Sequence, residues 1–320
     1  MRPFNLKILA MLVLTAMSMV ACMQDYVMEI PEGKAIMFDG AFVEKATRTA
    51  QDPSISNGEL NAFDVWGFVK EYDGTVFVDQ DVTLDNGVWT YNGTQYWVPD
   101  QPYYFAALAP MNSDNIGHTL AVGEAAKHGL GILTFTNVDG TEDLLYAHDS
   151  MVSKKLTEAE DAVQLQFQHL LSKVKFTFRN GFITDNAFVQ VRNIRMTVSA
   201  KASINVAQSD YSKAWSLEDE KVILEFGDVV KLGHREKAEC ADERLTIPAS
   251  SSYVYDIAFD VDLFMGQQLV YTVGLTSVVT GVELEMGKAY NFTADITPES
   301  LDLDNVTFDV INVDRWTPAQ

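Results

Sequence analysis

Cysteine and positive charge are both scarce. Only Cys22 and Cys240 occur in 320 residues, so no disulfide framework can be built. Lys and Arg number 23 against 45 Asp and Glu, for a net charge of −22. That balance excludes nucleic acid as a partner and disfavours adsorption to anionic lipid. A long amphipathic helical period is also missing; only Leu156 to Val163 has room for a turn or two. Neither HExxH nor G-x-S-x-G is present, and no phosphate loop or dinucleotide fingerprint occurs. The five histidines (His118, His128, His148, His169 and His234) form no metal-ligand pair, so no catalytic residue, metal or cofactor is expected. There is no Pro-rich or Gly/Ser linker, no repeat and no low-complexity tract.

What is present begins with a targeting pattern. Arg2 and Lys7 precede an apolar run from Ile8 to Val20, too short to span a bilayer permanently, and Ala21 is small. Cys22 follows at once, so residues 19–22 (MVAC) resemble a lipobox, where a lipoprotein is cleaved and its new terminal cysteine acylated. The alternative is an ordinary secretory signal that ends beside a cysteine. Cleavage leaves 299 residues with net charge −24, enough for two domains with buried cores. With Cys22 acylated, Cys240 is left alone as a small buried or half-buried filler.

Strand patterns dominate beyond residue 30. Tyr253, Tyr255, Ile257, Phe259, Val261 and Leu263 alternate with a mostly acidic set that includes Asp256, Asp260 and Asp262, as in a strand with one wet face. Val163 to Phe167, Val174 to Phe178, Ile194 to Val198, Ala202 to Val206 and Tyr290 to Ile296 alternate likewise. Asn86-Gly87, Asn92-Gly93, Asp139-Gly140 and Asn180-Gly181 supply turns. Many short strands without intervening helices predict an all-β chain of sandwiches. Apolar positions are odd up to Phe167 and even from Val174, so a bulge or a domain crossing must absorb the slip, and the boundary falls near residue 170. Asp79, Asp81 and Asp85 resemble the start of a calcium loop. Leu84 stands where that loop needs Gly, so a solvated acidic loop is expected. His169 continues an apolar face and reads as a satisfied core histidine.

Several pieces, in order, resemble one known family. Residues 143–147 (DLLYA), 163–169 (VQLQFQH) and 171–176 (LSKVKF) resemble the central signature of fimbrillin-like lipoproteins. Upstream, 66–68 (WGF), 89–91 (WTY), 96–99 (YWVP) and 104–110 (YFAALAP) resemble that family's first domain, and 306–310 (VTFDV) through Trp316 resemble its final strand.

The resemblance implies two transthyretin-like Greek-key β-sandwich domains in tandem. It divides the chain into a signal peptide at 1–21, a propeptide at 22–48, an N-terminal domain at 49–170 and a C-terminal domain at 171–320. It implies a lipoprotein precursor at the outer membrane, held by its lipid anchor and then assembled into a cell-surface fimbrium (a type V pilus) that supports adhesion. An Arg-specific protease removes the first strand, and a strand from another pilus subunit fills the groove. Arg48, in the polar stretch 45–50 (KATRTA), is the only Arg between the lipobox and the first domain, so cutting leaves Thr49 as the new terminus. Before it, Ile36, Phe38 and Phe42 share one face and make a plausible removable strand; a permanent edge strand is the alternative. Val306, Phe308 and Val310 share one face near the end, and Val306-x-Phe308 repeats the β-branched-then-Phe order of Ile36-x-Phe38, marking a donor strand. Beyond Val310 the phase changes at Ile311 and Val313.

Two other functions compete. One is a non-polymerising surface lipoprotein that binds a glycan or host protein; Trp89, Tyr91, Tyr96 and Trp97 could form its sugar platform, or could pack the sandwich. The other is a hydrolase with carboxylates scattered along the chain.

Overall fold

The structure is a computed structural model, and it describes residues 34–39, 42–43, 60–69, 74–121, 129–155, 161–208, 210–211, 215–302 and 306–313. From Ala35 onward the chain forms one connected body of four sheets.

Sheet A has seven strands in the order β1 (Phe42–Val43), β9 (Gln166–His169), β8 (Leu145–Val152), β5 (Pro102–Ala109), β2 (Ala62–Val69), β3 (Gly74–Asp85) and β4 (Val88–Tyr91). All its pairings are antiparallel except β1 on β9. Both faces of its middle are buried. Phe63, Val65 and Phe105 enter one apolar cluster, while Trp66, Ala106 and Leu108 enter another. This is why β2 and β5 read as near-continuous apolar runs instead of alternating.

Sheet B packs on the second of those faces. Its order is β13 (Ser216–Leu217), β12 (Lys201–Asn205), β7 (Leu130–Thr136) and β6 (Ile116–Leu120), so it draws strands from both sides of residue 170. The remaining two sheets form a sandwich. Sheet C runs β15 (Lys237–Glu239), β10 (Ser172–Asn180), β19 (Ala289–Ile296) and β20 (Asp309–Val313), with β16 (Arg244–Thr246) also on β10. Sheet D runs β14 (Lys221–Glu225), β11 (Ala187–Ser199), β17 (Tyr255–Met265) and β18 (Gln268–Val279). Val174, Phe176, Phe178 and Phe292 from sheet C meet Val191, Met196, Ile257 and Phe259 from sheet D.

The all-β expectation holds. Asn86-Gly87 closes the β3–β4 hairpin with φ of +50° and +81°, as a two-residue type I′ turn requires. The slip between Phe167 and Val174 occurs where the chain leaves sheet A for sheet C. There Leu170 and Leu171 are both fully buried in the cluster between sheets A and B.

Some readings need correction or placement. Asp79, Asp81 and Asp85 lie within strand β3, not in an acidic loop. Asp262 does not face water; it is buried and takes a forked pair of hydrogen bonds from Arg192, at 2.7 and 3.0 Å. Of the expected turn from Leu156 to Val163, residues 156–160 lie outside the described residues. A short helix that no sequence signal pointed to, α1 (Pro298–Asp302), stands between β19 and β20. Cys240 is half-buried; its Sγ accepts the Phe176 N–H at 3.2 Å, and burial pushes its thiol up to about 11.

Candidate functional site

The segment at residues 35–39 lies against the first core cluster like a short strand. Ile36 and Phe38 are 1% and 4% exposed, while Met37 between them is 57% exposed. This is the period-2 alternation that Ile36-x-Phe38 predicted. Phe38 sits in an aromatic cage: Phe77, Phe63, Tyr91 and Phe105 have ring centroids 5.7, 5.8, 6.0 and 6.3 Å away. Four hydrogen bonds hold the backbone. The Ile36 N–H donates to Gln95 O (2.8 Å) and the Asp39 N–H to Val163 O (3.0 Å), and the Val163 N–H donates back to Met37 O (2.8 Å). The Tyr91 hydroxyl donates to Ile36 O at 2.8 Å and itself accepts the Gln95 N–H. Burial raises the Tyr91 pKa, against the Gln95 hydrogen bond, so the hydroxyl stays a donor through the neutral range.

A few residues further on, β1 continues the segment as the edge of sheet A, its Phe42 opposite Gln166 on β9. The Phe42 side chain lies outside what is described. Cys22, Arg48 and Thr49 also fall outside the described residues.

Gly67 shapes this cage, and no reading of the sequence singled it out. A Cβ there would sit 2.7 Å from Phe77 Cδ2 and 3.2 Å from the Phe105 ring, two of the four walls around Phe38. The signal was a lone Gly inside an apolar strand run, which marks a close approach.

The proposed sugar platform does not exist as a surface. Trp89 and Trp97 are 6% and 4% exposed and pack in the same cluster as Phe38; of the four aromatics only Tyr96 is largely exposed. They pack the sandwich.

The C-terminal segment is in place on the chain's own core. Val306 is 3% exposed, and Ser277 Oγ donates to its carbonyl at 2.6 Å. Phe308 touches the rings of Phe176, Phe178, Phe259 and Phe292 at 5.6 to 6.5 Å. Val310 pairs with Phe292 in the β19–β20 ladder, and β20 is the edge strand of sheet C. Ile311 faces outward at 56% exposure, which is the change of phase seen in the sequence. His169, as expected, is satisfied: its Nδ1 lies 2.5 Å from an Asp143 carboxylate oxygen.

The architecture is an all-β body with aromatic-lined cores, one of them closed by a short N-terminal segment. The chain belongs to the fimbrillin-like family, whose pattern it matches over residues 47–316. Among solved structures it is similar to a fimbrial protein from Bacteroides vulgatus, at 13% identity and a TM-score of 0.58, over 89% of this chain and 100% of that one. It is also similar to a candidate cell adhesion protein from Bacteroides uniformis (17% identity, TM-score 0.51, 89% and 98% covered). A third, from Bacteroides ovatus and described the same way, gives 13% identity, a TM-score of 0.52, and 90% and 99% coverage. These likenesses establish the shared fold. No curated protein matches the sequence. Membership of the fimbrillin-like family points to a structural protein of the pilus-subunit kind, at the cell surface and in association with other fimbrial subunits.

Proposed function

We propose that the chain is a stalk or tip subunit of a type V pilus, exported as a lipoprotein acylated at Cys22 and cut after Arg48. Built of two domains, 49–170 and 171–320, it then polymerises by strand exchange between subunits. One observation carries this reading: the two anchors Ile36 and Phe38 fill a caged slot at a sheet edge, on a segment that precedes Arg48 in the chain.

Losing that segment uncovers the slot. Burial of two such side chains is worth about 3–6 kcal/mol, a large part of the roughly 5–15 kcal/mol that holds a domain together. The emptied slot must be refilled, and an incoming strand supplies both backbone hydrogen bonds and alternate side chains. Val306 and Phe308 match the lost pair in order and spacing. They leave an equally apolar site in their own subunit, so the exchange is close to balanced. Direction comes from the cut, which removes the competing segment for good.

The test is N-terminal sequencing of the protein recovered from assembled surface fibres. A terminus at Thr49 is expected. A terminus at Cys22 in assembled fibres would overturn the cut after Arg48, and absence of the chain from fibres would leave a non-polymerising surface lipoprotein as the reading.

A further inference from the structure

Strand β2 has two working faces. Phe63 and Val65 line the caged slot, while Asp64 and Trp66 alternate to the opposite side. Asp64 is 6% exposed. Its Oδ2 accepts the Asn112 N–H at 2.8 Å, but its Oδ1 is buried with no hydrogen-bond partner. The residue lines a cavity of about 230 Å³, together with Trp66, Asp79, Asn112, Asp114 and His118. Among the described residues no lysine or arginine lines it.

This carboxylate is held against its own preference. Asp64 stands directly opposite Asp81 in the β2–β3 pairing, and like charges so placed weaken a sheet. Burial, with added repulsion from Asp79 and Asp81, raises its pKa against the Asn112 hydrogen bond and the pull of His118. A buried carboxylate oxygen without a donor, in a cavity with two further carboxylates and only His118 to oppose them, is short of positive charge.

The kind of cation follows from the geometry. Among the described residues no three His, Cys, Asp or Glu come together as metal ligands. The cavity is smaller than the roughly 300–1,000 Å³ of a site for a whole small molecule. It suits the head of one side chain. A guanidinium carries five N–H donors in a plane, so it reaches acceptors spaced apart, and it stacks on rings. The Trp66 and His118 rings, with centroids 4.5 Å apart, stand at the wall.

We propose that this cavity receives the guanidinium of an arginine side chain carried by a partner protein, with Asp64 as its buried counter-ion. The exposed carboxylates of Asp79 and Asp114 repel the free carboxylate of an amino acid, so they favour a peptide-borne arginine over the free one. The inference uses the far face of β2 and stands apart from strand exchange.

The test is calorimetric titration of the intact chain with Nα-acetyl-arginine amide. Saturable binding at one site is expected, weakened about tenfold by Asp64→Asn. Asp79→Asn, at an exposed position, provides a second variant certain to leave the core alone, and weakens binding by about threefold. Nα-acetyl-lysine amide, a point charge, and free arginine should both bind less tightly. The proposal is overturned by no saturable binding to the parent chain. It is equally overturned if both variants bind as the parent does, or if calcium competes for the site in a manner that depends on Asp64. Free arginine binding tighter than the capped form would overturn the assignment to a partner protein.

Discussion

The Tyr91 hydroxyl donates to the carbonyl of Ile36 at 2.8 Å, tying a residue at the end of β4 to one 55 positions earlier. This bond is a side-chain clamp that adds to the three backbone hydrogen bonds at residues 36–39 found among the described residues. Tyr91→Phe keeps the ring, and with it the contact to Phe38, and removes only the hydroxyl. The expected cost is about 1 kcal/mol. The loss should be local: hydrogen exchange at the Ile36 and Asp39 amides should quicken, while the amides of β10 keep their protection. Uniform acceleration across the chain would show that the clamp is not local.

Phe38 and Met37 are neighbours with opposite surroundings. Phe38→Ala empties a cage of four rings and should cost about 3–5 kcal/mol. Met37→Ala should change stability by no more than about 0.5 kcal/mol, because that side chain projects into solvent. Denaturant unfolding of the two variants measures the difference. Equal effects would mean that residues 35–39 do not pack as described.

Asp262 gives a pH dependence with a definite sign. The Arg192 fork holds its carboxyl below the ordinary range despite burial, helped by Thr272 at 2.7 Å. A folded pKa below the unfolded one means that folding favours the charged form. The stabilisation is therefore complete above the unfolded value near 4 and is lost as pH falls through the lowered value. Asp262→Asn should be less stable than the parent at pH 7. The gap should narrow as the pH drops below about 4, which thermal unfolding across pH 2–7 can follow.

Much of this was legible before any coordinates. The alternation from Tyr255 to Val261 fixed a half-buried strand, because a period of two leaves one choice of face. Ile36-x-Phe38 was legible for the same reason. The acidic residues misled because sequence shows charge, not neighbours. Asp262 is buried because Arg192, on the adjacent strand, reaches it. Asp81 sits in a strand because Asp64 of β2 pairs opposite it, and Asp79 falls in the irregular part of that pairing. Trp89 and Trp97 look the same in sequence whether they are exposed or packed. The cavity at Asp64 joins β2, β5 and β6, and nothing local in the sequence announces such a meeting.

Strand exchange yields the most demanding prediction. Arg48→Ala should leave the protein folded but monomeric, because residues 35–39 then stay in their slot. The cut protein should form a ladder of oligomers that resists mild denaturant. Deleting the chain from Leu301 onward is a poor test of the donor, since Leu301 and Val306 are buried in their own subunit and their removal damages that core. A competing peptide avoids this difficulty. A synthetic copy of residues 301–320 should bind the cut protein and suppress the ladder, and should not bind the uncut precursor, whose slot is full. The same peptide with Val306→Ser and Phe308→Ser loses both anchors, about 3–5 kcal/mol of burial, and should compete at least a hundredfold more weakly. Gel analysis of the ladder against peptide concentration reads all three outcomes. If the serine peptide competes as well as the parent, or the uncut precursor builds the same ladder, Val306 and Phe308 are not the groups that refill the slot left by Ile36 and Phe38.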